Sequence, residues 1–189
     1  DVKRAQTPGV VMAQVADLRQ RLMEQFASQD GSFYNLKVGL GGLLDIEFAA
    51  QACQLVWGGA NTALQTPTTL EALRALAQES RLTRAQAQRL QAAYTVLRRI
   101  ELRLRMLEGT GTSKVPLSDE GAMRRLARRM GYRGATPAQE LMRELHRIRC
   151  EVRAIYTEVM SAYDVARQGT TADDHVSEQG QQQCGTTGE

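Results

Sequence analysis

The chain has 189 residues, a hydrophobic content of 42% and a net charge of +3, values typical of one globular domain with a buried core. Aromatic residues make up only 5%, and the apolar residues are mostly Leu, Ala, Val and Met, which favours helices over sheets. No hydrophobic run approaches the length of a membrane span, and the N-terminus lacks the hydrophobic segment of a signal peptide. We therefore expect a cytoplasmic protein with no membrane partner.

The first part of the chain contains two predicted helices around a glycine-rich stretch. Apolar residues at steps of three and four predict a helix over residues 10–28. Residues 33–38 have a mixed pattern, and we expect either an extended connector or a single strand there. A wide apolar arc over residues 43–57 predicts a central, well-buried helix.

Capping patterns mark the remaining helices. Thr68 and Glu71 form a capping box before a third helix, and a similar pattern at residues 83–86 precedes a long helix that reaches about residue 108. We expect a loop over residues 109–116, then a short helix over residues 119–130. Thr136 and Pro137 occupy the N-cap and first positions of a last helix.

These elements predict an all-α protein with about six helices in a bundle. The bundle should span residues 10–165, after an N-terminal linker over residues 1–9. Residues 166–189 contain a single aliphatic side chain larger than alanine, Val176, and four of the five charged residues there are acidic. With so few apolar side chains, residues 166–189 bury too little surface to offset the entropy of ordering them, so we predict a disordered polar tail.

Several common sites are absent from the sequence. There is no P-loop motif, and "GLGGLL" does not fit the dinucleotide-binding fingerprint. His146 and His175 are the only histidines, and the three cysteines lack metal-binding spacing, so we predict no metal ligand and no catalytic residue. Arginines cluster on two helices without interleaved aromatic residues, and we predict no nucleic-acid partner.

The stretch "KVGLGGLLDIEF" over residues 37–48 allows two interpretations. Gly41 and Gly42 permit positive φ angles directly before a helix, whose N-terminal N–H groups attract anions, and Lys37 adds a positive charge. Asp45 falls in the first helical turn, while Glu47 lies on a different face. The stretch is therefore either an anion site or a connector that packs tightly before a helix with a first-turn acid.

The same stretch resembles a known family signature. "LKVGLGGLLDIEFAAQACQL" is similar to K-x-G-x-G-G-[LI]-x-D-[IV]-E-F-x-x-Q of the glutamine synthetase adenylyltransferases. "AAYTVLRRIELRLRMLEG" and "MRRLARRMGY" resemble later segments of that family, in the same order. The likeness extends from Val10 to about Met160.

The resemblance implies an all-α domain that follows a catalytic nucleotidyltransferase domain. The full-length enzymes use ATP and Mg²⁺ to transfer AMP to a tyrosine of glutamine synthetase, a homologous half removes AMP by phosphorolysis, and the PII signal protein regulates them. We expect the motif positions to approach the nucleotide or the interface with the catalytic domain. These positions are Lys37, Gly39, Gly41, Gly42, Asp45, Glu47 and Gln51.

The family's G-S-x-x-D-x-D motif of catalytic carboxylates does not occur in this sequence. The chain alone is therefore predicted to be inactive, with no cofactor of its own. Two alternatives remain at this point: a free-standing, non-catalytic interaction module that uses its basic surface, and the helical domain of a PII uridylyltransferase.

One acidic residue interrupts an apolar stripe. Glu101 lies in line with Leu97 and Leu104 on the long helix. If it is buried it needs a positive partner, and Arg98 and Arg105 are the nearest candidates on its face. If the stripe drifts around the helix, Glu101 is simply exposed.

Overall fold

The computed structural model describes residues 7–26, 31–108 and 113–162. Within them lie six α-helices, a short 3₁₀ turn at Thr62–Leu64 and two three-residue strands. The helices are α1 (Pro8–Phe26), α2 (Leu43–Trp57), α3 (Thr69–Gln78), α4 (Arg84–Glu108), α5 (Glu120–Met130) and α6 (Pro137–Ser161). The predicted all-α architecture is confirmed. The predicted tail and residues 1–6 of the predicted linker lie outside the described residues.

Two short strands pair where the sequence indicated mainly connectors. β1 (Phe33–Asn35) and β2 (Lys114–Pro116) are antiparallel, with Tyr34 opposite Val115. The loop predicted over residues 109–116 is therefore wrong for residues 114–116, where Val115 is fully buried. Three residues are too few to show a strand pattern, and the partner strand that satisfies their backbone groups is remote in the sequence.

Side-chain caps begin three helices, at Thr68 and Thr83 as predicted and at Asp119, for which no cap was predicted. The side-chain oxygens of Thr68, Thr83 and Asp119 accept hydrogen bonds from backbone N–H groups three residues later, at 3.3, 3.1 and 2.8 Å. Thr136 occupies the N-cap of α6 as predicted, but its side chain makes no capping bond. Each side-chain capping bond stabilises the start of its helix by about 1 kcal/mol.

α2 lies at the centre of the bundle and contacts α1, α3, α4 and α6. Its inner side chains, including Ile46, Ala49 and Cys53, are almost completely buried, as the wide apolar arc predicted. None of the helices in the described part of the chain combines the length and apolar character that crossing a membrane requires. The glycine-rich stretch leads directly into this central helix, so its geometry fixes how α2 enters the core.

Candidate functional site

The three motif glycines are required by close backbone packing. A Cβ atom on Gly39 would collide with the Tyr34 ring, and one on Gly42 would lie 2.6 Å from the Leu36 carbonyl oxygen. Gly41 has a φ angle of +72°, and a Cβ there would collide with the backbone of Arg149 on α6. The stretch is thus a tight turn that brings the start of α2 against α6.

The N–H groups at the start of α2 already have acceptors inside the chain. Gly42 N–H donates to the Gly39 carbonyl at 2.9 Å, and Leu43 N–H donates to that of Leu36 at 2.8 Å. Leu44 N–H donates to the Lys37 carbonyl at 3.0 Å. The donors that a phosphate would need at this helix N-terminus are therefore occupied. These contacts agree with the interpretation of the stretch as a tight connector.

Asp45 is held in a buried ion pair. Its Oδ1 lies 2.6 Å from Nε of Arg19, and the two side chains are 0% and 2% exposed. Its Oδ2 accepts the Gly41 N–H at 2.8 Å, and a guanidinium nitrogen of Arg153 lies 3.5 Å from the same oxygen. Asp45 thereby joins α1, α2, α6 and the glycine turn.

Arg19 also forms hydrogen bonds with the glycine turn itself. Its Nη2 donates to the backbone carbonyls of Val38 and Gly39, at 2.8 and 3.1 Å. One side chain of α1 therefore fixes both the conformation of the turn and the position of the Asp45 carboxylate. The motif did not include Arg19, but the sequence contained a signal for it. Arg19 lies on the same helical stripe as the apolar residues Met12 and Val15. It interrupts that stripe just as Glu101 interrupts the apolar stripe of α4.

Glu47 belongs to a second charged network, between α2 and α4. Its Oε1 accepts hydrogen bonds from Nη2 of Arg98 at 2.6 Å and from the Tyr94 hydroxyl at 3.3 Å. Arg98 also donates to Glu101 at 2.8 Å. Arg98 therefore bridges Glu47 and Glu101. The family signature around Glu47 does not contain Arg98.

Glu101 is only 4% exposed, so of the two alternatives the structure shows the buried, paired one. Its carboxylate accepts hydrogen bonds from Arg98, from Arg105 at 3.2 Å and from the Ser113 hydroxyl at 2.9 Å. Burial by itself raises the pKa of Glu101, but the bonds from Arg98 and Ser113 outweigh it and hold the pKa below 4.5. The charged form is therefore the one that the fold stabilises.

The remaining motif residues lie on the surface. Lys37 and Gln51 are exposed, whereas the three glycines and Asp45 are buried together in the turn. Leu44, Glu47, Gln51 and Leu55 follow one another on α2 at helical spacing, and all are at least partly exposed. We call this strip the outer face of α2; Leu55, at 67% exposure, is its most exposed apolar residue.

A groove of about 550 Å³ continues the outer face of α2 toward α1. Its walls include Leu22 and Phe26 of α1, Lys37 and Leu44 of the motif, and Lys114 of β2. Phe26 is 50% exposed. Apolar side chains beside two lysines form a surface suited to contact with another protein domain.

The described residues do not fit a magnesium site. No group of three or more His, Cys, Asp or Glu side chains comes together among residues 7–26, 31–108 and 113–162. The Asp45 carboxylate faces two arginines and a backbone N–H, and Glu47 faces Arg98. These acids neutralise arginines within the fold, and no metal-dependent step is assigned to them.

Comparison with known proteins relates the chain to two kinds of nucleotidyltransferase. Residues 11–160 match the family model described as GlnD PII-uridylyltransferase. A bifunctional glutamine synthetase adenylyltransferase/adenylyl-removing enzyme of Streptomyces avermitilis is 39% identical over 145 residues, which cover 77% of this chain and 14% of that protein. The enzyme of the same description from Methylococcus capsulatus is 35% identical over 153 residues, or 80% of this chain and 15% of that protein.

A third enzyme of that description, from Cutibacterium acnes, is 41% identical over 118 residues, which cover 62% of this chain and 12% of that protein. The chain thus spans about a seventh of the length of the relatives it matches. The resemblance predicted from the glycine-rich signature is confirmed. The chain belongs to the GlnD PII-uridylyltransferase family and is similar to a segment of the glutamine synthetase adenylyltransferases.

Proposed function

We propose that this chain is the helical domain that docks against a nucleotidyltransferase domain in a glutamine synthetase adenylyltransferase. The observation that carries the proposal is the outer face of α2. α2 is the central helix, and the family signature runs through its first three turns, yet one strip of it stays at least partly exposed. A central helix whose exposed strip carries Leu44 and Leu55 has the character of a surface made for another domain.

The two parts of the signature have different roles in this proposal. The glycines and Asp45 are buried and give the turn its shape, whereas Lys37, Glu47 and Gln51 point outward or border the surface. The buried part would set the angle at which the outer face of α2 meets the catalytic domain. Lys37, beside the groove, would approach either that domain or the nucleotide it holds.

ATP and Mg²⁺ are proposed for the full-length enzyme only, where the catalytic domain would bind them. Glutamine synthetase, as the protein that receives AMP, and the PII signal protein, as a regulator, are proposed partners of the full-length enzyme as well. The similarity to enzymes described as glutamine synthetase adenylyltransferases supports the first of these partners. The helical domain contributes binding surface and orientation to this activity, with no catalytic group of its own.

The docking proposal is tested by measuring binding between this chain and the separately expressed nucleotidyltransferase domain of the same enzyme. Leu55→Glu should weaken binding about tenfold or more, because burying one leucine contributes about 1.5–3 kcal/mol. Met142→Glu is the matched control, since Met142 is an exposed apolar residue of α6 at 40% exposure. Equal binding by the two variants would contradict docking through α2.

A PII uridylyltransferase is the second candidate, and the description of the matching family model favours it. The two candidates differ in nucleotide and target protein. The assembled enzyme should transfer label from ATP to glutamine synthetase in the first case and from UTP to the PII protein in the second. If the chain binds no nucleotidyltransferase domain, the free-standing interaction module becomes the better description.

A further inference from the structure

A separate cleft lies between α1 and α6 and has a volume of about 330 Å³. We call it the α1–α6 cleft; it shares no lining residue with the groove beside the outer face of α2. Its walls include Arg19 and Met23 of α1 and Arg153 and Tyr156 of α6. We propose that this cleft binds a small molecule through one oxyanion group, a phosphate or a carboxylate.

Arg19 supplies a fixed positive charge to the inner wall. Its Nε and Nη2 atoms are bound to Asp45, Val38 and Gly39, which immobilise the guanidinium. Its Nη1 atom is buried and has no hydrogen-bond partner among the described residues. Buried guanidinium nitrogens are normally paired, so an unpaired one marks a place where an acceptor would be stabilised.

Tyr156 brings a hydroxyl to the same cleft. The residue is only 4% exposed and lines the cleft beside Arg153. Burial, followed by the charge of Asp45, raises the pKa of Tyr156, so the hydroxyl stays protonated and acts as a donor. Arg153 lies over the Tyr156 ring at 4.9 Å and is itself about one-third exposed, which leaves its guanidinium accessible from the cleft.

The charge balance favours an anion. Arg19 and Arg153 both face Asp45, so two positive charges share one enclosed carboxylate. Asp17 also borders the cleft, but it is largely exposed and pairs with Arg21 at 2.9 Å. The inner part of the cleft therefore carries one excess positive charge, and a charge-assisted bond from a guanidinium is a strong contact for a phosphate or carboxylate.

The size of the cleft restricts the ligand. A volume of 330 Å³ is near the lower end of the range for small-molecule pockets, which excludes a bulky nucleotide but admits a metabolite of modest size. Met23 adds an apolar contact for the rest of such a molecule. This proposal does not depend on docking of a catalytic domain, because every residue that lines the cleft belongs to α1 or α6.

The test uses the full 189-residue chain and two probes, inorganic phosphate and acetate, each compared with chloride at equal ionic strength. We expect a saturable rise in the unfolding temperature with at least one probe, and a dissociation constant on the order of 1 mM by calorimetry. The probe that acts identifies the preferred group. If neither probe raises the unfolding temperature more than chloride does, the cleft binds only solvent and the proposal fails.

Variants then locate the site. Tyr156→Phe keeps the ring and its packing, and Arg153→Gln keeps most of the side-chain length; each should weaken binding about tenfold. Arg147→Gln is the matched control, because Arg147 is exposed on the same helix and, among the residues that the structure describes, pairs only with Glu151. If phosphate or acetate raises the unfolding temperature equally in all three variants and in the unchanged chain, the effect is general to the protein surface. The α1–α6 cleft is then not the site.

Discussion

The guanidinium of Arg19 and the carboxylate of Asp45 are joined at 2.6 Å in the interior of the bundle, although they lie on different helices. Arg19 also donates to two carbonyls of the glycine turn, and Asp45 accepts a turn N–H group. The pair therefore couples the packing of α1 against α2 to the shape of the family signature. Removal of the Asp45 charge leaves Arg19 buried without its partner, whereas removal of Arg19 leaves Asp45 with only the more distant Arg153, at 3.5 Å.

We expect Asp45→Asn to lower the free energy of unfolding by about 3–5 kcal/mol, because it leaves the Arg19 charge buried without its partner. Glu120→Gln is the matched control: Glu120 forms an exposed pair with Arg124 and should cost less than about 0.5 kcal/mol. Urea unfolding measures both. The double variant Arg19→Met, Asp45→Asn should be less destabilised than the two single losses added together. Strict additivity would show that the two charges do not interact.

Glu101→Gln should lower the free energy of unfolding by about 1–3 kcal/mol, because it weakens three hydrogen bonds around a buried carboxylate. Arg98 and Arg105 are half-exposed, so water compensates part of the charge left behind. The folded pKa of Glu101 is depressed, so the stabilisation is present above the unfolded pKa and is lost as the pH falls through the folded pKa.

The stability difference between the unchanged chain and Glu101→Gln should thus be constant near neutral pH and shrink in acid, below about pH 4.5. Urea unfolding at several pH values measures it. A difference that grew on acidification would contradict the sign of the shift. A difference near zero at neutral pH would contradict the importance of the network between α2 and α4.

A graded set of glycine variants tests the glycine turn. Gly41→Ala combines a positive φ angle with a collision against the Arg149 backbone, and it should cost well over the roughly 1–2 kcal/mol of left-handed strain alone. Gly131 has a φ angle of +100° but open space around it, so Gly131→Ala should lower the free energy of unfolding only by the left-handed strain. Gly59→Ala has neither feature and should be close to neutral. Equal unfolding temperatures for the Gly41 and Gly131 variants would show that the turn does not need its close approach to α6.

The described cysteines should differ in reactivity toward a thiol reagent at mildly alkaline pH. Burial raises the pKa of Cys53 to about 12, so its thiol stays protonated and enclosed, whereas Cys150 is exposed. Cys184 lies outside the described residues, and a Cys184→Ser background removes it from the count. One thiol should then react promptly and the second only on unfolding. Prompt reaction of both would contradict the burial of Cys53.

The chain by itself should not transfer AMP to glutamine synthetase. Nucleotidyl transfer needs acidic residues that hold metal ions in line with the reacting phosphate, and the G-S-x-x-D-x-D motif is absent from this sequence. Incubation with labelled ATP, Mg²⁺ and glutamine synthetase measures the activity. Addition of the separately expressed nucleotidyltransferase domain is the positive control, and label on the synthetase without that domain would contradict the prediction.

Much of the candidate site could be read from the sequence because its signals are local. Glu101 interrupts an apolar stripe, and its partners Arg98 and Arg105 lie three and four residues away on the same helix, where side chains always meet. Arg19 gave the same kind of signal on α1, but its partner Asp45 is on another helix. The stripe shows that a charge is buried without showing what neutralises it.

The sequence by itself determined the helical class, the caps at Thr68 and Thr83, and the family, because helix periodicity, capping and a signature motif depend on residues close together in the chain. Only the tertiary structure decided how tightly the glycine turn packs against the other helices. That packing depends on the contact of Gly41 with the Arg149 backbone and on the ion pair of Asp45 with Arg19, and both arginines belong to other helices. Packing distance and desolvation are properties of residues that meet in space, and no local pattern specifies which residues those are.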